Sequence, residues 1–252
     1  MSTLRNLVTR ADDFGVTLGT NDAILDCIKA GWIKNVGVMA PGPFLAHRLD
    51  ELLALQDDIC LGVHGTLTSE WAQLRWGPIE QEEILSSLLR KEDGTFYPDT
   101  KSLAHYGLQD EMIQELRAQI HHLRDQGLRP VYWDSHMNFT KIEGLSERLA
   151  SLCEEEGLFY THAGAHGRFL LSLNQAARPD GKDWERATAS YLEEQSDKIP
   201  VWICHPAYKE IPGHFPAQVI EERHFEALHL TENSQSLRDL AEQNGWQAAG
   251  YV

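Results

Sequence analysis

Basic residues are scarce in this chain of 252 residues, which carries 22 Lys and Arg against 38 Asp and Glu, for a net charge of -16. A nucleic-acid-binding protein needs a basic face for the phosphates, and binding to an anionic membrane surface also needs positive charge. The composition therefore argues against a nucleic-acid or membrane partner and favours a small neutral substrate.

Cysteine and long apolar runs are also scarce. The four cysteines are far apart and form no C-x-x-C pair, so a zinc ribbon and a thioredoxin motif are excluded. Isolated thiols in apolar runs indicate buried side chains in a reducing compartment. No apolar run is long enough to cross a bilayer, and residues 1–6 lack the apolar region of a signal peptide. We therefore expect a soluble cytoplasmic protein.

Strand and helix patterns alternate along the chain, with no linker, repeat or low-complexity tract. Such alternation predicts parallel strands with helical crossovers. At this length we expect one domain over residues 1–252, a (β/α) barrel of regular or distorted form, with a doubly wound sheet as the alternative. The segment 163–182 has no clear period and is predicted to be an insertion over a site. Strands are predicted at 7–11, 33–39, 59–63, 129–133, 158–162, 199–204 and 246–252. Helices are predicted at 18–30, 43–55, 79–90, 109–127, 145–156, 183–194, 217–228 and 234–244.

Four of the predicted strands end in an acid or an imidazole. A single histidine at such a place more often bonds a backbone carbonyl, but that reading does not explain four strands with the same pattern. Barrels place their chemistry at the carboxyl ends of the strands, and His and Asp side chains that converge there are typical of a metal site. The residues are Asp12 and Asp13, His64, Asp134 and His136, and His205.

Five motifs in the chain resemble those of the YdjC-like family of carbohydrate deacetylases, in the family's order. The tail, including Glu222-Arg223, also resembles the family's C-terminus. The motifs are RADDFG at 10–15, GVMAP at 37–41, LGVHGTLT at 61–68, DSH at 134–136 and CHP at 204–206.

The resemblance implies a (β/α) barrel that pairs as a homodimer and holds one divalent metal ion, zinc or magnesium. By their place in the motifs, Asp13, His64 and His136 match the metal ligands. Asp12 matches the proposed general base, and His205 matches the proposed general acid.

The chain departs from the family pattern at three positions. Gly65 stands where many relatives have leucine, Asn138 where many have a second histidine, and Ala207 where glycine is usual. None of these is a carried-over ligand, but Asn138 would lie near the metal and so bears on the choice of sugar. The predicted sugar contacts are Asn138, Trp71, Trp76 and Tyr208, with local packing as the alternative for the tryptophans.

The predicted function is hydrolysis of an N-acetyl group on an amino sugar or short oligosaccharide, by a metal-activated water with Asp12 as base and His205 as acid. Two histidines and one carboxylate also form the facial triad of non-haem iron oxygenases, which the alternating pattern disfavours. A phosphoesterase would usually need more carboxylates for a second metal. A non-catalytic carbohydrate-binding protein would not need Asp12 or His205.

Overall fold

The computed structural model describes residues 4–80, 84–162, 166–170, 199–208 and 214–252, with the backbone alone for 166–170. The strands are β1 (Arg5–Phe14), β2 (Asn35–Val38), β3 (Cys60–Gly65), β4 (Tyr132–Ser135), β5 (Phe159–Tyr160), β6 (His166–Leu170), β7 (Ile199–Cys204) and β8 (Trp246–Ala249). The helices are α1 (Leu18–Ala30), α2 (Leu49–Leu55), α3 (Thr100–Tyr106), α4 (Gln109–Asp125), α5 (Leu145–Glu155), α6 (Ala217–Glu232) and α7 (Ser234–Gln243), and a 3₁₀ segment spans His136–Lys141.

The eight described strands form one parallel sheet in the order β5-β4-β3-β2-β1-β7-β6, with β8 also paired to β1. Parallel neighbours need crossover connections, and helices supply several of them. The arrangement is an α/β distorted barrel and confirms the predicted fold class. Because all strands run in one direction, the ends of β1, β3, β4 and β7 lie at the same edge.

Strand β1 is central and is buried from Leu7 to its end, as expected for a parallel strand covered on both faces. Helix α1 follows it. The hydroxyl of Thr17 caps this helix by accepting a hydrogen bond from the Thr20 backbone N–H at 3.0 Å, and Gly31 ends it in the left-handed region at φ 92. These two caps fix the first βα unit and hence the loop that follows the paired aspartates.

The prediction of a helix at 79–90 is wrong, since the described part of this range consists of turns and bends. Two of its backbone N–H groups donate to side chains instead of to helical carbonyls. The Ile79 N–H donates to the Glu115 carboxylate at 3.0 Å, and the Ser87 N–H donates to Glu111 at 2.9 Å. Both carboxylates lie on α4. The buried leucines of this stretch belong to the same hydrophobic core as the apolar residues of α4, without forming a helix.

The predicted helix at 43–55 begins only at Leu49. The Asn21 side chain donates to the backbone carbonyls of Phe44 and His47, at 3.0 and 2.8 Å, and this holds the preceding residues in turns. The predicted helix 183–194 and most of the segment 163–182 lie outside the described residues. The described part of that segment is strand β6, which extends the sheet beside β7.

In the described part of the chain, every helix is too short or too polar to span a lipid bilayer.

Candidate metal centre and active site

A β-bulge near the end of β1 brings two adjacent carboxylates to one side of the strand. Ala11 pairs with Val36 of β2 and Phe14 pairs with Val38, so three steps along β1 match two along β2. Within this bulge, Asp13 has a left-handed backbone at φ 74. Neighbouring side chains on a regular strand face opposite ways, and a bulge re-aims one of them. Here both carboxylates approach the His64 ring: Asp12 Oδ1 lies 4.0 Å from Nδ1, and Asp13 Oδ1 lies 3.4 Å from Nε2.

Three ligand atoms from β1, β3 and the turn after β4 converge at this edge of the sheet. Asp13 Oδ1 lies 3.4 Å from His64 Nε2 and 3.3 Å from His136 Nδ1, and the two nitrogens are 3.2 Å apart. All three side chains are buried. In a tetrahedral site, metal–ligand bonds of about 2.0–2.2 Å separate neighbouring ligand atoms by about 3.3–3.6 Å, close to the distances seen here.

The donor set therefore fits one divalent ion. Asp13 Oδ1 is buried and has no hydrogen-bond partner among the described residues, so a cation would satisfy it.

A second group of potential ligands, Asp12, His64 and Asp134, already surrounds a cation of the protein itself. The Arg10 guanidinium is 2.8 Å from Asp12 Oδ2 and 2.6 Å from Asp134 Oδ2, and Arg10 is 2% exposed. Asp134 Oδ1 in turn lies 3.1 Å from His64 Nδ1. This group therefore orients His64 and Asp12 and leaves His64 Nε2 for the metal.

Arg223 of α6 holds the other oxygen of the candidate ligand Asp13, with Nη2 2.6 Å from Asp13 Oδ2. Burial alone would raise the pKa of Asp13, but the Arg223 guanidinium and the neighbouring imidazoles of His136 and His64 keep that pKa well below its usual range. Asp13 is therefore ionised, as a metal ligand must be.

His205 directly follows β7 and is tied by its backbone to α6. Its N–H donates to Glu226 Oε2 at 2.6 Å, and the Ala207 N–H donates to the Arg223 carbonyl at 3.0 Å. Burial lowers the pKa of the His205 imidazole, so the ring is neutral near pH 7. Helix α6 therefore positions both the loop that carries His205 and the guanidinium beside Asp13.

The structure brings the five residues predicted as ligands and catalysts to one cavity of about 510 Å³. The cavity opens at the carboxyl edge of the sheet. The five are Asp12, Asp13, His64, His136 and His205.

The four predicted sugar contacts divide into two pairs. Trp71 and Asn138 line the cavity. Trp76 is 4% exposed and packs against the ring of His136, with ring centres 6.2 Å apart. The Tyr208 hydroxyl donates to a carboxylate on α1 at 2.7 Å. Trp76 and Tyr208 thus lie outside the cavity lining, and the position of Trp76 matches the alternative of local packing.

Four residues that hold the site received no role from the sequence, and a fifth, Asp134, was predicted only as one of the converging strand-end acids. Arg10, Asp134 and Arg223 lie within recognised motifs, but a motif does not show which oxygen a guanidinium contacts. Glu226 follows Arg223 by three residues, the helical spacing that puts both on one face. Glu70 lies in a loop without periodicity and gave no signal.

Curated relatives match this chain over part of their length. A carbohydrate deacetylase of Danio rerio is 31% identical over 160 residues, which cover 62% of this chain and 48% of that protein. A carbohydrate deacetylase of Enterococcus faecalis is 28% identical over 58% of this chain and 52% of that protein. One of Halalkalibacterium halodurans is 24% identical over 80% of this chain and 85% of that protein. For the first two, the match spans about half of the relative's length.

A solved structure and a family profile cover nearly the whole chain. A crystal structure from Enterococcus faecalis, of a proposed cellobiose-phosphate cleavage protein, aligns with a TM-score of 0.77 at 22% identity, over 99% of this chain and 98% of that one. At this identity the likeness shows the fold alone. The profile of the YdjC-like protein family matches residues 6–241, and the chain therefore belongs to the YdjC-like family.

Proposed function

We propose that this protein is a metal-dependent deacetylase that removes an N-acetyl group from an amino sugar or a short oligosaccharide. The observation that carries the proposal is the convergence of Asp13 Oδ1, His64 Nε2 and His136 Nδ1 to within 3.2–3.4 Å, beside Asp12 and His205 in one cavity. The name carbohydrate deacetylase, which curated relatives carry, supports the same reaction.

Asp13, His64 and His136 would hold one divalent ion, zinc or magnesium. Two imidazole nitrogens suit zinc better than magnesium, which prefers oxygen ligands. A bound ion would supply Lewis acidity, lowering the pKa of a coordinated water and polarising the amide carbonyl. The fixed geometry of the three ligands lets the protein bind such an ion without rearrangement.

Asp12 is suited to the role of general base. Its Oδ2 accepts a hydrogen bond from the Arg10 guanidinium at 2.8 Å. Its Oδ1 is buried and has no hydrogen-bond partner among the described residues, so this oxygen is available to take a proton from the attacking water. Arg10 also fixes the direction in which that oxygen points.

His205 is suited to the role of general acid, provided that it gains a proton during the reaction. An amine leaves an amide only after its nitrogen is protonated, so the site must deliver a proton there. Because burial lowers the pKa of His205, the ring is neutral in the free protein. The proton that it donates must therefore be taken up during the reaction, and Asp12 on the same cavity wall is the proposed source.

The sugar would bind in the cavity, where Trp71 offers an aromatic surface and Asn138 an amide. A two-metal phosphoesterase is disfavoured, because the guanidinium of Arg10 occupies the second group of carboxylates. The cytoplasmic location and the homodimer stay predictions.

The test is acetate release from a panel of N-acetylated mono- and oligosaccharides. The protein is stripped with a chelator and reconstituted with zinc or magnesium in separate samples. We expect acetate only in reconstituted samples, none with Asp13→Asn, and parental release with Asp110→Asn, whose side chain is 91% exposed. Sugar binding without acetate release under every metal would indicate a non-catalytic binding protein and contradict the proposal.

A further inference from the structure

Glu70, in the loop that follows β3, contacts the histidine ligand His136. Its Oε1 lies 2.8 Å from His136 Nε2, and the two side chains are 11% and 7% exposed. We propose that Glu70 is a positioning residue that keeps the proton of His136 on Nε2 and so presents Nδ1 to the metal. The inference rests on the proposed function insofar as it assumes the metal site.

The two histidine ligands present opposite ring nitrogens to the centre. His64 does so with Nε2, while its Nδ1 lies 3.1 Å from Asp134 Oδ1. His136 does so with Nδ1, while its Nε2 faces Glu70. A metal-ligating histidine usually donates its other N–H to a carboxylate or carbonyl, which fixes the tautomer and the ring orientation. Glu70 does for His136 what Asp134 does for His64.

The loop holds Glu70 in place through the residue before it. The Ser69 N–H donates to the Tyr97 carbonyl at 2.8 Å, and the Ser69 hydroxyl accepts from the Trp76 N–H at 3.1 Å. The Arg75 guanidinium donates to the Ser69 carbonyl at 2.9 Å. With three hydrogen bonds on its neighbour, Glu70 has little freedom to leave His136.

Both ends of the same loop are fixed to α4. The Gln119 side chain accepts from the Thr66 N–H at 3.0 Å and donates to the Thr66 carbonyl at 2.7 Å. The Glu115 carboxylate accepts from the backbone N–H groups of Ile79 and Glu80, each at 3.0 Å. The fold, and not the bound ion, therefore places the Glu70 carboxylate at His136.

The test compares Glu70→Ala, Glu70→Gln and the control Glu92→Ala, whose side chain is 72% exposed in a turn. Zinc affinity is measured by competition with a chelator. The ring nitrogen of His136 that carries the proton is identified by NMR of the zinc-loaded protein labelled with ¹⁵N-histidine. We expect Glu70→Ala to bind zinc about 10–100-fold more weakly and to lose the preference for a proton on Nε2. Glu70→Gln keeps an acceptor oxygen and should retain most of the affinity, and Glu92→Ala should match the parent.

Parental zinc affinity in Glu70→Ala, or a proton that stays on His136 Nε2 in that variant, would overturn the inference. So would a parent protein that does not bind zinc. Neither readout uses acetate. A protein that shows the Glu70 effect but releases no acetate would refute the proposed deacetylation and leave the inference standing. Thermal unfolding of each variant shows whether it is folded. If Glu70→Ala is not folded, Glu70→Met, which has a side chain of similar length but no acceptor oxygen, takes its place in both measurements with the same expected losses.

Discussion

The guanidinium of Arg223 lies 2.6 Å from Asp13 Oδ2, while Asp13 Oδ1 faces the two imidazoles of the metal centre. One oxygen of this carboxylate thus contacts a cation of the protein itself, and the other faces the candidate metal site. Arg223 therefore compensates the buried charge of Asp13 whether or not a metal is bound, and should stabilise the folded protein.

Arg223→Met should destabilise the metal-free protein by about 3–5 kcal/mol, the cost of removing one partner from a buried ion pair. Urea unfolding after treatment with a chelator measures this. Zinc should restore part of the loss, because it offers Asp13 a second cation. The matched control is Arg148→Met, which removes a surface pair with Asp110 and should cost less than about 1 kcal/mol. Equal losses in the two variants would contradict the buried pairing.

Asp12→Asn and His205→Ala should each lower kcat by about 10²–10⁴ and leave zinc affinity near the parental value, because neither residue is a ligand. Asp13→Asn should lose zinc affinity and activity together. Acetate release and chelator competition on the same preparations separate the two outcomes. Full activity in His205→Ala would remove this residue from the mechanism.

Metal binding should release protons at neutral pH. Burial lowers the pKa of His64, but Asp134 and Asp12 outweigh it and raise that pKa to about 10. Burial also lowers the pKa of His136, but Glu70 and Asp13 outweigh it and raise that pKa to about 9. Both groups thus favour the protonated form at pH 7 in the metal-free protein, and ligand nitrogens must lose their protons.

Zinc titration by calorimetry at pH 7, in buffers of different ionisation enthalpy, should show the release of at least one proton. The apparent affinity should rise with pH until it passes the two pKa values. A binding enthalpy that is independent of the buffer would contradict this.

Gly65→Ala should destabilise the protein by about 1–3 kcal/mol through overpacking. A Cβ at this position would lie 2.4 Å from a ring atom of Trp133, which is fully buried. Trp133→Phe removes Cζ2, the ring atom that would lie nearest to the Cβ, so the double variant should lose less than the sum of the two single losses. Chemical denaturation of all four proteins measures this coupling. Strict additivity would show that the clash is relieved elsewhere.

The strand ends were predictable because a parallel sheet places them at one edge whatever the loops do. An apolar run followed by His64 or His205 is visible in the sequence alone. The partners of His136 and His205 were not visible, since Glu70 and Glu226 reach the site from a loop and a helix whose approach depends on tertiary packing. The range 79–90 was mispredicted for the same reason, because carboxylates on α4 bind backbone groups that a local pattern assigns to a helix.

The bulge between Ala11 and Phe14 makes the chemistry depend on an imperfection of the sheet. A designer who regularised β1 by removing the extra residue would improve its pairing with β2. The same change would turn one of the two acids toward the opposite layer and separate the proposed base, Asp12, from the proposed ligand, Asp13. A more regular β1 would therefore disrupt the proposed active site, and selection for stability alone would favour loss of the bulge.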